Sequence, residues 1–255
     1  MIDSHCHLDV AEFDQDRDAV LARARAAGVV AQVVPAIARA GFEKLRDLCA
    51  AHADLHPAYG LHPMFLDQHR PSHLAELRAW IEQERPVAIG ECGLDFFVEG
   101  LDADTQRRYF VAQLELAREL DLPVVLHARR AVEEVTATIR RVGGLRGVVH
   151  SFSGSAEQAR QLWDLGFLLG LGGPLTYARA RRLRTLAATM PLEFLLLETD
   201  APDQPLAAHR GQRNEPARLG EVAATVAALR EVPLDEIVAA TTRNAARLFA
   251  LPSAA

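Results

Sequence analysis

Near its start the chain reads MIDSHCHLDV, with His5 and His7 on either side of Cys6. Imidazole is a common ligand for divalent metals and carries protons near neutral pH. Along an extended segment alternate side chains face the same way, so His5 and His7 point together and Cys6 points opposite. Further polar residues stand directly after apolar runs: Glu91 in AIGECGLD, His127 in VVLHAR, His150 in VVHSF and Asp200 in LLLETDAP. His62, in YGLHP, ends another run and is a weaker candidate. Buried together without partners, four imidazoles and two carboxylates would be costly. Cations remove that cost. Mixed nitrogen and oxygen donors suit zinc, manganese or a similar ion, and magnesium at a carboxylate-rich position. Six donors suffice for two divalent ions about 3.5–4 Å apart, bridged by one carboxylate.

Other chemistries fit less well. Cys6, Cys49 and Cys92 form neither a CxxC pair nor a disulfide framework. Cys6 and Cys92 neighbour the candidate ligands but should face away, as core residues. No G-x-S-x-G elbow or phosphate-binding glycine loop occurs. Lys44, the only lysine, falls in an expected helix. That argues against a Schiff base or a lysine-derived metal bridge, and Glu91 is the natural bridging group. His52, His56, His69, His73 and His209 fall in helices or loops and read as solvated or capping residues.

The elements that must position these groups alternate regularly. Continuous apolar runs suit parallel strands covered on both faces. The expected strands are MIDSHCH, VVAQVVPAI, LHPAYGLH, PVAIGECGLD, LPVVLHAR, RGVVHSF, FLLGLGG and EFLLLETD, and an amphipathic stretch separates each from the next. Two helices close the chain, around PARLGEVAATVAALR and LDEIVAATTRNAARLFA. Eight β-α units in about 250 residues predict a single TIM-type (β/α)8 barrel domain over residues 1–255, with an extra C-terminal helix. In such a barrel the C-terminal strand ends converge on one face, where the candidate ligands would meet.

The composition is that of an ordinary globular protein, with 49% hydrophobic and 24% charged residues. A formal net charge of -6 disfavours a protein that coats nucleic acid electrostatically. Action on nucleic acid would need a local patch or a metal. No apolar run is long enough to span a membrane and no secretory signal is visible, so a cytoplasmic protein is expected. A monomer is the favoured state.

Taken in order, MIDSHCHLD, YGLHP, AIGECGLDF, QRRYFVAQLELARELDLPVVLHAR, HSFSGS, LLLETDAP and TTRNAARLF resemble the TatD-like metal-dependent nucleases, a branch of the amidohydrolase-type barrels. The resemblance implies that His5, His7 and Asp200 hold one metal, that His127 and His150 hold another, and that Glu91 bridges them. It implies DNA as substrate, cleaved from 3′ ends of single strands, with Asp200 orienting a metal-activated water and accepting its proton. His62 and Arg129 are expected to contact phosphate. Arg179, Arg181 and Arg182 are further candidates, and Phe65, Phe96 and Phe97 could stack on a base. The competing reading is another metal-dependent ester or amide hydrolase, such as a deacylase of D-aminoacyl-tRNA. A non-catalytic metal-binding protein is a third.

Overall fold

The computed structural model describes residues 1–252. Eight strands form it: β1 (Ile2–Asp3), β2 (Ala31–Pro35), β3 (Leu55–Tyr59), β4 (Ala88–Asp95), β5 (Val124–Arg129), β6 (Gly147–Val149), β7 (Phe167–Leu171) and β8 (Leu195–Leu197). Each pairs with the next in parallel, in chain order. Helices α1 (Arg17–Ala26), α2 (Phe42–Ala51), α3 (Ser72–Glu84), α4 (Ala103–Glu119), α5 (Val132–Val142), α6 (Ala156–Trp163) and α7 (Arg181–Thr189) connect them. Helices α8 (Leu219–Arg230) and α9 (Leu234–Phe249) follow the last strand. This is the TIM-type (β/α)8 barrel expected from the alternation, with α9 as the extra helix.

The period of two along each strand builds two apolar layers. Val33, Ala58, Ala88, Val125, Val148, Leu168 and Leu196 cluster together, and so face inward. Their strand neighbours Val34, Ile89, Val124, Leu126, Val149, Leu169 and Leu195 pack outward with the helices. Helix α5 shows the matching stripe, burying Val132, Val135, Thr136 and Ile139 at helical spacing. Ala245, Leu248 and Phe249 of α9 share the inner cluster. Helix α9 therefore plugs the end of the barrel where the strands begin.

The ring closes past the short first and last strands. Ser4 N–H donates to the Leu197 carbonyl at 3.0 Å, Asp200 N–H to that of His5 at 2.9 Å, and His7 N–H to that of Ala201 at 2.7 Å. The buried Asp3 carboxylate accepts from the His5 N–H, the Thr199 N–H and the Thr199 hydroxyl, at 3.2, 3.0 and 2.6 Å. Burial pushes this carboxyl up to about 7 against those donors.

The strands are shorter than the apolar runs suggest. His5, His7, His62, His150 and Asp200 lie one to four residues beyond the last ladder residue, whereas Glu91 and His127 lie within β4 and β5. Single cross-chain hydrogen bonds continue past the ladders, from Cys6 N–H to Val33 O, His62 N–H to Ile37 O and His150 N–H to Leu126 O. The backbone then turns out of extended geometry, with φ of 46° at Ser151 and 55° at Asp200.

Phe249 is 2% exposed inside the inner cluster. Phe249→Ala should cost about 3–5 kcal/mol of unfolding free energy, read from the urea midpoint. A cost below about 1 kcal/mol would show that α9 is not a structural plug.

Candidate metal centre

The inward-facing layer continues toward the C-terminal end of the barrel. Two residues beyond Val125 stands His127, beyond Val148 His150, and beyond Leu196 Glu198 and then Asp200. Simple alternation would turn Glu91 outward, because Ala88 faces in and Ile89 faces out. The pairing of β4 with β5 shifts between Ile89 and Cys92, so β4 carries one extra residue. This bulge turns Glu91 inward and Cys92 outward. Glycines make room around it. A Cβ on Gly93, whose φ is +145°, would lie 2.0 Å from the His127 carbonyl oxygen, and one on Gly170 would lie 2.0 Å from Glu198 Oε2.

Glu91 is 1% exposed and lies at the centre of the cluster. Its Oε1 is 2.9 Å from His62 Nε2, 3.0 Å from His127 Nδ1 and 2.7 Å from His150 Nε2. Its Oε2 is 3.2 Å from His5 Nε2 and 3.4 Å from His7 Nε2. Asp200 Oδ1 lies 3.5 and 3.7 Å from those two nitrogens, which are 3.1 Å apart. The six expected ligands thus converge, and His62 joins them.

Hydrogen bonds on the far side of the rings decide which nitrogens carry lone pairs. His7 Nδ1 donates to the Pro35 carbonyl at 3.2 Å, so its Nε2 faces the cluster unprotonated when the ring is neutral. Asp95 Oδ2 takes the Nε2–H of His127 at 2.8 Å, which leaves the lone pair of Nδ1 facing the cluster. His62 is the reverse. Its Nδ1 accepts from the Met64 N–H at 3.1 Å, so a neutral ring carries its proton on Nε2 and donates it to Glu91. His62 therefore reads as a hydrogen-bond donor rather than a ligand, although His62, Glu91 and His127 are close enough to count as a metal-binding group.

The electrostatics favour positive charge here. Burial alone would raise Glu91, but His150, His62 and His5 hold it well below the usual carboxylate range. Burial would lower His7 and His150, yet Glu91 draws them up to about 9 and about 10. Burial brings His62 down to about 4, leaving it neutral. Burial and the neighbouring His150 lower His5, whose ring stacks on that of His150 at 3.9 Å between centroids.

The donor set fits metal ions. Facing lone pairs on His5 and His7 repel unless a proton or cation lies between them, and Glu91 Oε2 has no hydrogen-bond partner. His5 Nε2 and His7 Nε2 lie 3.1 Å from each other and between 3.2 and 3.7 Å from Glu91 Oε2 and Asp200 Oδ1. His5, His7 and Asp200 offer atoms close enough together to share one ion. Glu91 Oε1, His127 Nδ1 and His150 Nε2 make a second donor group, with separations of 2.7 to 3.3 Å.

Other residues singled out in the sequence do not join the donor cluster. Arg129 ends β5 and lays its guanidinium 3.7 Å from the Phe97 ring centroid. Phe65 packs on His62, and Arg179 lies over Tyr177. His209 pairs with Glu221 at 2.8 Å. Lys44 lies in α2 and pairs with Asp14 at 2.8 Å. His69, expected to be solvated or capping, is instead buried and donates to the His62 carbonyl at 2.8 Å. It is held there by the turn after β3, Pro63–Gln68. Asp95, Glu198 and Gln204 were not expected at the site. Gln204 donates to Asp200 Oδ2, and Glu198 accepts from the Ser151 N–H. Period-two spacing from Asp200 could have revealed Glu198.

A family model described as TatD related DNase matches residues 2–250. YjjV of Escherichia coli K12, named an uncharacterized metal-dependent hydrolase, is 41% identical over 254 residues, covering 98% of each chain. The crystal structure of that E. coli protein matches with a TM-score of 0.95 at 40% identity, covering 99% of this chain and 98% of its own. The zebrafish protein tatdn3, whose name proposes a deoxyribonuclease, is 33% identical over 260 residues, covering 97% of this chain and 96% of its own. Matched from one end to the other in sequence and in fold, the chain belongs to the TatD family of metal-dependent hydrolases.

Proposed function

We propose that the chain hydrolyses phosphodiester bonds of DNA, acting from 3′ ends of single strands with two divalent cations. His5, His7 and Asp200 would hold one cation and His127 and His150 the other, with Glu91 between them. The observation that carries this reading is the position of Glu91, whose two oxygens face two separate donor groups. The family description as DNase and the name of the zebrafish relative support DNA as the substrate. When bound, the cations lower the pKa of water toward about 7 and offset phosphate charge.

The side chains supply position and proton transfer. Asp200 faces the first donor group through Oδ1, while Gln204 holds its Oδ2. Gln204 is itself bonded to the Ser151 hydroxyl. Asp200 is thereby fixed to orient a water and take its proton. Neutral His62 offers its Nε2–H to Glu91 or to a phosphate oxygen. Asp95 keeps His127 in the tautomer that presents Nδ1.

Chelator-treated protein should lose cleavage of an end-labelled single-stranded oligonucleotide and regain it with magnesium, manganese or zinc. No metal-dependent shortening, together with hydrolysis of D-aminoacyl-tRNA in a parallel assay, would replace this reading with the deacylase one. Glu91→Ala should abolish cleavage and lower the metal content of the purified protein, with its circular dichroism spectrum retained. Wild-type metal content in that variant would remove Glu91 from the centre. Asp95→Asn should weaken metal binding about 10–100-fold, followed by calorimetric titration of the metal-free protein, and unchanged affinity would count against its orienting role.

A further inference from the structure

The loops after β4, β5 and β6 line a second concavity on the catalytic end. Its volume is about 740 Å³, within the ~300–1,000 Å³ span of small-molecule sites. Phe96, Arg130, Ser153, Gln158 and Arg182 are among its walls. Phe96 directly follows Asp95, and Arg130 and Ser153 follow closely on His127 and His150. The groove therefore lies on the His127–His150 side of the centre.

Phe97, next to this groove in sequence, is 43% exposed, one of three large apolar side chains left so open among the described residues. The guanidinium carbons of Arg129 and Arg130 stand 3.7 and 4.7 Å from its ring centroid. Many arginines elsewhere are ion-paired, as in Arg23–Glu215, Arg25–Asp54 and Arg107–Glu134. On this rim Arg129, Arg130, Arg179, Arg181, Arg182 and Arg210 have no carboxylate partner among the described residues, in a chain of net charge -6. Arginines without a carboxylate partner also occur elsewhere, Arg85, Arg140 and Arg141 among them, but those on this rim stand beside the proposed metal centre, where an anionic strand supplied from outside can meet them.

We propose that this groove and the Phe97 platform bind the nucleotides of single-stranded DNA that flank the scissile phosphate. This rests on the DNA reading above and adds where the strand lies. A base stacks on the exposed phenyl ring, which accepts any base because every base has a π-face. Arg129, Arg130 and Arg182 take the neighbouring phosphates. Glu134 on the wall is already paired with Arg107, whereas Glu133 repels phosphate and confines the backbone to the arginine side.

The test compares metal-loaded wild-type protein with Phe97→Ala, Phe97→Leu and Arg130→Ala. Two substrates are used, a short oligothymidylate and bis(4-nitrophenyl) phosphate, a diester with no flanking nucleotide. Both Phe97 variants should raise KM for the oligothymidylate about tenfold, the leucine included because apolar bulk does not replace a ring. Arg130→Ala should reduce the slope of log affinity against log salt by about 0.7. Hydrolysis of the small diester reports on the metal centre and should follow the wild type. Wild-type KM and salt slope in all variants would overturn the proposal, as would parallel losses on both substrates. Failure of the wild-type protein on the oligothymidylate alone would overturn the DNA reading instead, and this subsite with it.

Discussion

A carboxylate sealed in a protein interior stays ionised only if positive charge or donors surround it. Glu91 is such a group, and much of the catalytic end is arranged around it. The bulge in β4 turns it inward, and Gly93 lets β4 approach β5 closely enough for His127 to reach it. Donors from the ends of β1, β3, β5 and β6 meet its two oxygens. Removing the carboxylate would leave those imidazoles facing one another. Removing the imidazoles would leave a bare buried charge. Each half compensates the charge of the other, so the cluster specifies its own geometry.

Barrel closure is tied to the same residues. The backbone bond from Asp200 to His5 and the Asp3–Thr199 network join the first and last strands immediately beneath the first donor group. A barrel that failed to close would separate His5 from Asp200, because they lie on opposite sides of that seam. Assembly of this donor group is thus coupled to completion of the sheet. At the other end α9 closes the barrel with apolar side chains, and its Asn244 donates to the Leu192 and Leu195 carbonyls. The two ends divide the work as in other barrels of this type, stability at one and chemistry at the other.

The alternation of apolar runs and amphipathic stretches made the barrel legible, and residues ending those runs made all six proposed ligands legible. Period-two reasoning worked for His127 and His150 because their strands are regular. It would have sent Glu91 outward, since no local pattern announces the β4 bulge beyond its flanking glycines. The supporting residues were harder to see. Asp95 touches His127 across two strands, and His69 reaches the His62 carbonyl from a turn. Such contacts depend on tertiary placement, which residue type does not encode. Ladder ends were overestimated for a related reason: hydrophobicity continues where pairing has already given way to single hydrogen bonds.

The overall charge and the charge of the rim point in opposite directions, and this has a physical use. A uniformly basic surface would hold any nucleic acid anywhere along its length. If the substrate is single-stranded DNA, as proposed, an acidic body would repel the strand and the arginines at the barrel mouth would favour engagement there. Arginine suits that rim better than lysine would, because its planar guanidinium can lie on an aromatic ring and still present donors to phosphate. Arg129 over Phe97 has this geometry. The near absence of lysine from the chain therefore costs the rim nothing. On the DNA reading, the discrimination would rest on the arginines that stand beside the metal centre rather than on net charge.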